Sequence, residues 1–151
     1  MRITTWAEYG VICTLHLAKR GDVSPVTGRD IAAGEKLPSD YVEQILLRLR
    51  RAGIVKSTRG AKGGYVLARA PEAITLREVV SAAELGTFEL HCDTHPLDPV
   101  RCAASGDCSV RPVWQILKRR VDEALEGVRL SDLLAPESVV RGRVGLPVLQ
   151  P

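Results

Sequence analysis

The apolar positions of residues 39–68 predict one helix followed by a β-hairpin. In the first half, apolar residues recur at the i, i+3, i+4, i+7 spacing of a helix with one buried face, at Val42, Ile45, Leu46 and Leu49. We expect Ser39 to accept hydrogen bonds at the start of this helix and Gly53 to end it. Two short runs rich in β-branched and aromatic residues follow at 54–57 and 65–68, and a turn with three glycines separates them.

Four further stretches have helical periodicity. They cover residues 5–20, 27–33, 75–85 and 112–125. Capping boxes of Thr5 with Glu8 and of Thr75 with Glu78 predict where the first and third of these helices start, and Gly127 ends the last one. The predicted secondary structure is therefore mostly helical.

The order of these elements predicts a mainly α-helical fold with a small β-hairpin. Two helices joined by the turn 34–38 and followed by a hairpin form a winged helix-turn-helix, which we assign to residues 1–85. Residues 86–111 and 135–151 have no sustained period, so we expect a long loop and a flexible tail.

The apolar stripe of the last helix, in the segment 112–134, needs a surface of its own. It consists of Val113, Ile116, Leu117, Val121, Ala124 and Leu125. A second copy of the chain is the economical partner, so we predict a long dimerisation helix and a homodimer. The alternative is that this helix folds back on its own chain.

Positive charge is concentrated in one segment. The chain has a net charge of only +3. Yet residues 44–71 contain seven Lys or Arg and no Asp or Glu. A surface for a polyanion is the simplest explanation, and double-stranded promoter DNA is the expected partner. The predicted DNA-binding residues are Ser39, Tyr41, Glu43, Gln44, Arg48, Arg59, Lys62 and Gly63.

The side chains in that set have the chemistry for DNA. Tyr41, Gln44 and Arg48 lie off the apolar stripe, so we expect them to reach base edges and phosphates. Arg59 and Lys62 place charge at the tip of the glycine turn. The alternatives are an ordinary solvated helix face and a phosphate-binding loop, but the GxxxxGK[ST] spacing of such a loop is absent.

Length and composition suit one compact domain with appendages. The chain has 151 residues, of which 45% are hydrophobic. There is no signal-peptide pattern and no apolar run of the ~20 residues that a bilayer span needs, so we expect a cytoplasmic protein without membrane contact. Because cytoplasmic thiols stay reduced, four cysteines indicate metal or redox chemistry before disulfides.

Three of these cysteines lie in the predicted loop 86–111, called here the cysteine segment. They are Cys92, Cys102 and Cys108, whereas Cys13 is expected to be a buried small hydrophobe of the first helix. Thiolates suit iron–sulfur clusters and zinc. The spacing leaves open a cluster, a zinc site with His91 or His95, a redox switch and idle cysteines.

The span from Met1 to about Leu134 resembles the Rrf-two-type winged-helix transcription regulators, the family of the iron–sulfur regulators IscR, NsrR and RirA. The motifs are MRITTWAEYG, SDYVEQILLRLRRAGIV, STRGAKGGYVLA and TLREVV, with three cysteines before the last helix. The resemblance implies a homodimer that binds promoter DNA. It also implies that Cys92, Cys102 and Cys108 ligate an iron–sulfur cluster.

Two positions affect which cluster the resemblance implies. Some members have a histidine three residues after the third cysteine, where this chain has Arg111, so a two-iron 2Fe-2S cluster is disfavoured. In another type a carboxylate on the first helix of the partner subunit completes a four-iron cluster, and Glu8 matches that position. The expected cofactor is therefore a 4Fe-4S cluster, with zinc as the alternative.

We therefore expect a dimeric transcription repressor whose DNA affinity is switched by an iron–sulfur cluster that senses redox state, nitric oxide or iron. The alternative is a cluster-free regulator of the same fold that uses zinc, thiol oxidation or a partner protein as its signal. An enzyme is not expected, because the chain has no C-x2-C pair, nucleophile elbow or acid/base pair with useful spacing.

Overall fold

The computed structural model describes residues 3–21, 24–60, 62–84, 98–103 and 106–145. The helices are α1 (Thr5–Arg20), α2 (Gly28–Glu35), α3 (Ser39–Arg51), α4 (Leu76–Glu84), α5 (Arg111–Glu126) and α6 (Glu137–Arg143). The strands are β1 (Val55–Thr58) and β2 (Gly64–Leu67), and two 3-10 turns occupy Pro71–Ala73 and Leu130–Leu134. Within this described part, no helix is both long and apolar enough to span a bilayer.

The core lies where α1, α2, α3 and α4 pack together. The four apolar residues predicted for α3, Val42, Ile45, Leu46 and Leu49, have no exposed surface. This confirms the predicted buried face of α3. The core includes Cys13, also with 0% exposure, as expected for a small hydrophobe.

The two ends of α3 differ in how well they were predicted. Gly53 has φ +70°, and the amide of Ile54 donates to the carbonyl of Leu49 at 3.0 Å, which confirms the glycine stop. The prediction for Ser39 was wrong. Pro38 takes the extended position before the helix, so Ser39 is already the first helical residue and no side-chain hydrogen bond caps α3.

The start of α1 also differs from the prediction. Thr4, not Thr5, precedes the helix in an extended conformation, and its hydroxyl accepts a hydrogen bond from the amide of Trp6 at 3.2 Å. Glu84 of α4 holds Thr4 there by accepting a 3.1 Å hydrogen bond from the Thr4 amide and another from its hydroxyl. Thr5 is therefore inside the helix, and Glu8 does not close a capping box.

The hairpin is antiparallel, as predicted, and pairs Val55 with Leu67 and Thr58 with Gly64. A short extended segment at Val26 pairs with the hairpin as a third element. Val26 and Tyr65 exchange two backbone hydrogen bonds of 3.0 and 2.8 Å, although Val26 lies in a region between helices that has no strand pattern. The contact anchors the hairpin to the start of α2.

The capping box at α4 is confirmed. The hydroxyl of Thr75 accepts from the amide of Glu78 at 3.1 Å, and the Glu78 carboxylate accepts from the amide of Thr75 at 2.8 Å. Burial disfavours the charged form of Glu78, but the Thr75 hydrogen bonds and the adjacent Arg69 guanidinium outweigh it, so the pKa of Glu78 is lowered.

The C-terminal part is more ordered than expected. After α5 the chain returns to the winged domain, where Leu130 is fully buried and its amide donates to the carbonyl of Ile74 at 2.9 Å. The predicted flexible tail over 135–151 was wrong for Glu137–Arg143, which forms α6. An ion pair four residues apart, Glu137 with Arg141, supports this helix, and Arg143 pairs with Asp132.

Candidate nucleic-acid interface and cysteine segment

The N-terminal half of α3 presents polar and aromatic groups to solvent. Ser39, Glu43 and Gln44 are exposed, and Tyr41 is 40% exposed. Gly28 of α2 packs directly under Glu43, because a Cβ at this glycine would overlap the Glu43 carboxylate. The helix-turn-helix therefore holds α3 with these four side chains on its outer surface, as a recognition helix requires.

Arg48 differs from the others, because its guanidinium is turned into the protein. It donates a 2.5 Å hydrogen bond to the carbonyl of Ala83 on α4, and it stacks 4.0 Å from the ring centre of Trp6 on α1. The same indole ring lies 5.0 Å from the ring of Tyr41. Arg48 lies off the apolar stripe, but helical periodicity does not reveal these two partners inside the protein.

The hairpin turn, or wing, is shaped by its glycines. Gly60 has φ +112°, and the amide of Gly63 donates to its carbonyl at 2.9 Å. A Cβ on Gly63 would collide with the carbonyl of Thr58. Arg59 and Lys62 flank this turn and are exposed. Only glycine allows the chain to turn this tightly here, and the turn places both cations at the tip.

Five of the seven positive charges between residues 44 and 71 lie on exposed side chains. Arg48 is engaged as described, and Arg69 pairs with Glu78 at 2.8 Å. The remaining five cations lie on the exposed surface: Arg50, Arg51, Lys56, Arg59 and Lys62. Arg50 also donates to the hydroxyl of Ser57 at 3.3 Å, which ties the end of α3 to β1.

Cys108 lies just before α5 in an environment that favours its thiolate. Hydrogen bonds from the backbone amides of Arg111 and Val110 lower the pKa of the Cys108 thiol, and the positive charges of Arg111 and Arg101 add to the effect, against a smaller opposing contribution from burial. A thiolate is the form that binds soft metals. Burial and the charge of Glu35 instead raise the pKa of Cys13 to about 12.

Arg111 also connects Cys108 with the turn that contains Cys102. Its guanidinium donates to the carbonyls of Arg101 and Ala103 at 3.1 and 2.7 Å. Asp98 shapes the same turn, because its carbonyl accepts from the amide of Cys102 at 2.8 Å. Cys102 and Cys108 are both half-buried. The side chain at position 111 therefore holds the backbone on both sides of Cys102.

The predicted ligand set is described only in part. Cys92 lies outside the described residues, as do His91 and His95. Among the described residues, no three His, Cys, Asp or Glu side chains are close enough to hold a metal ion. Glu8 is exposed on α1. The donor chemistry of Cys102 and Cys108 nevertheless fits a thiolate-bound cluster.

Part of the predicted apolar stripe of α5 is exposed, and its other large members, Ile116, Val121 and Leu125, are half-buried. Val113, Trp114 and Leu117 are 52%, 41% and 44% exposed, and Val110 just before the helix is 50% exposed. No residue of α5 is buried, although Arg77 of α4 forms ion pairs with Asp122 and Glu126. One side of α5 thus contacts the winged domain, while the other exposes large hydrophobic side chains.

The Rrf2 family model, described as an iron-dependent transcriptional regulator, matches residues 3–136. The chain belongs to the Rrf2 family of transcription regulators. This confirms the family that the sequence motifs indicated, and the winged-helix fold class with it. Rrf2 proteins similar to this chain are regulators of the helix-turn-helix type, which bind DNA, and not enzymes.

Similar proteins of the Rrf2 family are named as different regulators. A putative HTH-type regulator of Synechocystis is 36% identical over 135 residues, which is 88% of this chain and 87% of the relative. The structure of IscR from T. potens has a TM-score of 0.69 and 33% identity, covering 89% of this chain and 86% of IscR. The structure of CymR, the global cysteine regulator of B. subtilis, has a TM-score of 0.68 and 32% identity, covering 88% of this chain and 95% of CymR.

Sequence reasoning missed the residues that connect α3 to the rest of this Rrf2 domain. Helical periodicity places Trp6 within the predicted helix 5–20 but indicates no partner for it, and it indicates none for Glu84. A signal was present for Trp6, since a large aromatic residue in the first turn of a surface helix needs a partner. No local signal indicated Glu84, because its partner Thr4 is 80 residues away in sequence.

Proposed function

We propose that the protein is a homodimeric, DNA-binding transcription repressor whose DNA affinity is switched by an iron–sulfur cluster on the cysteine segment. The observation that carries the DNA part is the exposed face of α3, which continues into a wing with two cations at its tip. No carboxylate interrupts the chain between residues 44 and 71. Such a face attracts phosphates along a duplex.

The interface divides into two kinds of contact. Tyr41, Glu43 and Gln44, with Ser39 at the helix start, are proposed to face base edges in the major groove. Arg59, Lys62 and the backbone of Gly63 are proposed to contact the adjacent phosphates or minor groove. We leave Arg48 out of this set, because its guanidinium already has two partners inside the protein.

Salt dependence of binding tests the DNA proposal. Lys62→Ala should weaken binding to a promoter duplex and reduce the slope of log K against log salt by ~1, because one phosphate contact is lost. Arg59→Ala should weaken binding as well. Arg119→Ala on α5, which removes the same charge from a 68% exposed side chain, is the control and should leave the slope unchanged. Equal slopes for all variants would refute the wing contact.

The sensor part assigns Cys92, Cys102 and Cys108 as cluster ligands, with Glu8 of the partner subunit as the fourth. A bound cluster would supply a centre that reacts with oxidants, nitric oxide or changes in iron supply. The amides and guanidinium around Cys108 stabilise its thiolate, and Arg111 holds the Cys102 turn. Arginine is not a metal ligand, so we favour a 4Fe-4S cluster over 2Fe-2S.

Anaerobic purification tests the cluster. The protein should be brown and contain iron and acid-labile sulfide, and Cys108→Ser should lose both. Cys13→Ala is the control, because Cys13 is buried in the core and should not affect iron content. A colourless preparation that contains zinc would replace the cluster by the zinc alternative.

A cluster-free thiol switch is the second candidate, and one observation favours it. The lowered pKa of Cys108 makes a reactive thiolate available without any metal. A colourless, metal-free protein whose DNA affinity changes on mild oxidation, and no longer does so after Cys108→Ser, would support this candidate against the cluster.

The dimer is proposed from α5. Its exposed stripe of Val113, Trp114 and Leu117 is a large apolar surface for a helix of this kind, and the same stripe on a second copy would cover it. Twofold symmetry would then place two copies of α3 on two operator half-sites.

A further inference from the structure

We propose that Arg48 is a positioning residue that transmits the position of the C-terminal end of α4 to the recognition helix α3. This inference rests on the proposed function, in which the cysteine segment is the sensor and α3 binds DNA. It replaces a direct DNA contact of Arg48 by a contact inside the protein.

The first observation is where the Arg48 guanidinium is bound. It donates at 2.5 Å to the carbonyl of Ala83, one residue before α4 ends at Glu84. The donor carries a full positive charge, and Ala83 lies in the last described turn of α4. A charge-assisted bond to a carbonyl is stronger than a neutral one, so α3 is anchored to the end of α4.

The second observation is that α1 connects α3 to the same end of α4. Arg48 stacks on Trp6, and Tyr41, on the same helix as Arg48, contacts the same indole. The N-terminus of α1 is in turn held by Thr4, which hydrogen-bonds to Glu84. Both connections from α3, direct and through Trp6, therefore end at residues 83 and 84.

The third observation is that this end of α4 has little room to move independently. A Cβ added at Gly10 of α1 would lie 2.7 Å from the Cβ of Ala83, so the two helices touch closely at this turn. Ala83 is completely buried. Close packing passes a displacement on to its neighbours, because packed side chains have few intermediate arrangements.

The direction of transmission follows from chain connectivity. Glu84 is the last residue of α4, and the cysteine segment begins two residues later. A change in that segment which shifts or rotates the end of α4 moves the Ala83 carbonyl. Arg48 then either follows it, moving α3, or loses the bond and the stacking on Trp6. In both cases the surface of α3 presented to DNA changes.

The test compares DNA affinity in two states of the cysteine segment, cluster-loaded and cluster-free, for Arg48→Gln. Allosteric coupling of a regulator is typically about 5- to 150-fold, and we expect Arg48→Gln to bring the ratio of the two affinities to within about twofold of one. Arg48→Lys, which retains the charge and one donor, should restore part of the ratio. Arg50→Gln, an exposed position on the same helix, is the control: it should weaken both states equally and leave the ratio unchanged.

A second measurement does not require the cluster. Glu84→Gln weakens the bond to Thr4 and so perturbs the end of α4; we expect it to change DNA affinity in the Arg48 protein but not in the Arg48→Gln protein. The Trp114→Phe background leaves Trp6 as the single tryptophan. Its emission should respond to Glu84→Gln only when Arg48 is present.

The outcomes separate this inference from the proposed function. An Arg48→Gln protein that loses affinity equally in both states, with additive effects of the two substitutions, would overturn the inference and assign Arg48 to DNA contact. An Arg48→Gln protein with unchanged DNA affinity and an unchanged ratio of the two affinities would also overturn the inference. If the unaltered protein shows no difference between the two states, the proposed sensor fails, and the Glu84 comparison alone decides the role of Arg48.

Discussion

Replacing Leu117 by aspartate should convert the proposed dimer to a monomer, because Leu117 belongs to the exposed apolar stripe and lies near the middle of α5. In the single chain, 44% of Leu117 is accessible to solvent. Full burial of a leucine side chain is worth ~1.5–3 kcal/mol, so covering this remaining surface is worth about 1 kcal/mol in each copy. A twofold dimer contains two copies of Leu117, so the loss of burial is about 2 kcal/mol per dimer.

That loss alone raises the dissociation constant of the dimer about 30-fold. The carboxylates add to it, because their desolvation in an interface of mostly apolar side chains costs several kcal/mol more. We therefore expect Leu117→Asp to be monomeric at micromolar concentration and to bind full operators no more tightly than single half-sites.

Sedimentation equilibrium measures the change directly. Val139→Asp is the matched control. Val139 is 51% exposed on α6, so this substitution introduces the same charge outside the α5 stripe. It should remain dimeric. A Leu117→Asp protein with unchanged secondary structure and an unchanged dissociation constant would refute the assignment of this stripe to the dimer interface.

Three further predictions concern stability and thiol chemistry. Gly64→Ala should lower the free energy of unfolding by more than ~1 kcal/mol in urea denaturation, because Gly64 has φ +155° and its Cβ would meet backbone, whereas Gly142→Ala should be harmless. The lowered pKa of Glu78 contributes stability that is fully present above the unfolded value near 4.5 and is lost as the pH falls through the folded value. Glu78→Gln should therefore flatten the acid side of the melting-temperature profile; an unchanged profile would contradict this. In metal-free protein, Cys108 should be alkylated at a lower pH than free cysteine, while Cys13 stays unmodified until the protein unfolds, as peptide mass analysis would detect.

The parts of the fold that were predicted correctly depend on residues close together in sequence. The stripe of α3, the stop at Gly53 and the capping box of Thr75 and Glu78 each involve fewer than about ten consecutive positions. The hairpin pairs strands joined by a short turn. Local hydrogen bonding and side-chain periodicity determine such features, so they can be read before the tertiary structure is known.

The candidate site was predicted less completely, because several of its residues depend on distant partners. The exposed positions of Tyr41 and Gln44 followed from the helical period. The exposure of Arg59 and Lys62 followed from the glycine-rich turn between the strands. Arg48 has the same period, but its guanidinium is turned inward to a carbonyl 35 residues away. No window on the sequence contains both groups.

The sequence by itself determined the helices α1 to α5 and both strands, which face of α3 is buried, and that positive charge gathers on α3 and the wing. It did so because these properties follow from short-range periodicity and composition. Only the tertiary structure decided which threonine caps α1, that Leu130 completes the core, and that Arg48 joins α3 to the end of α4. Each of those contacts joins groups that are distant along the chain. They form only when whole elements pack, because packing buries apolar surface and pairs the hydrogen-bonding groups of different elements.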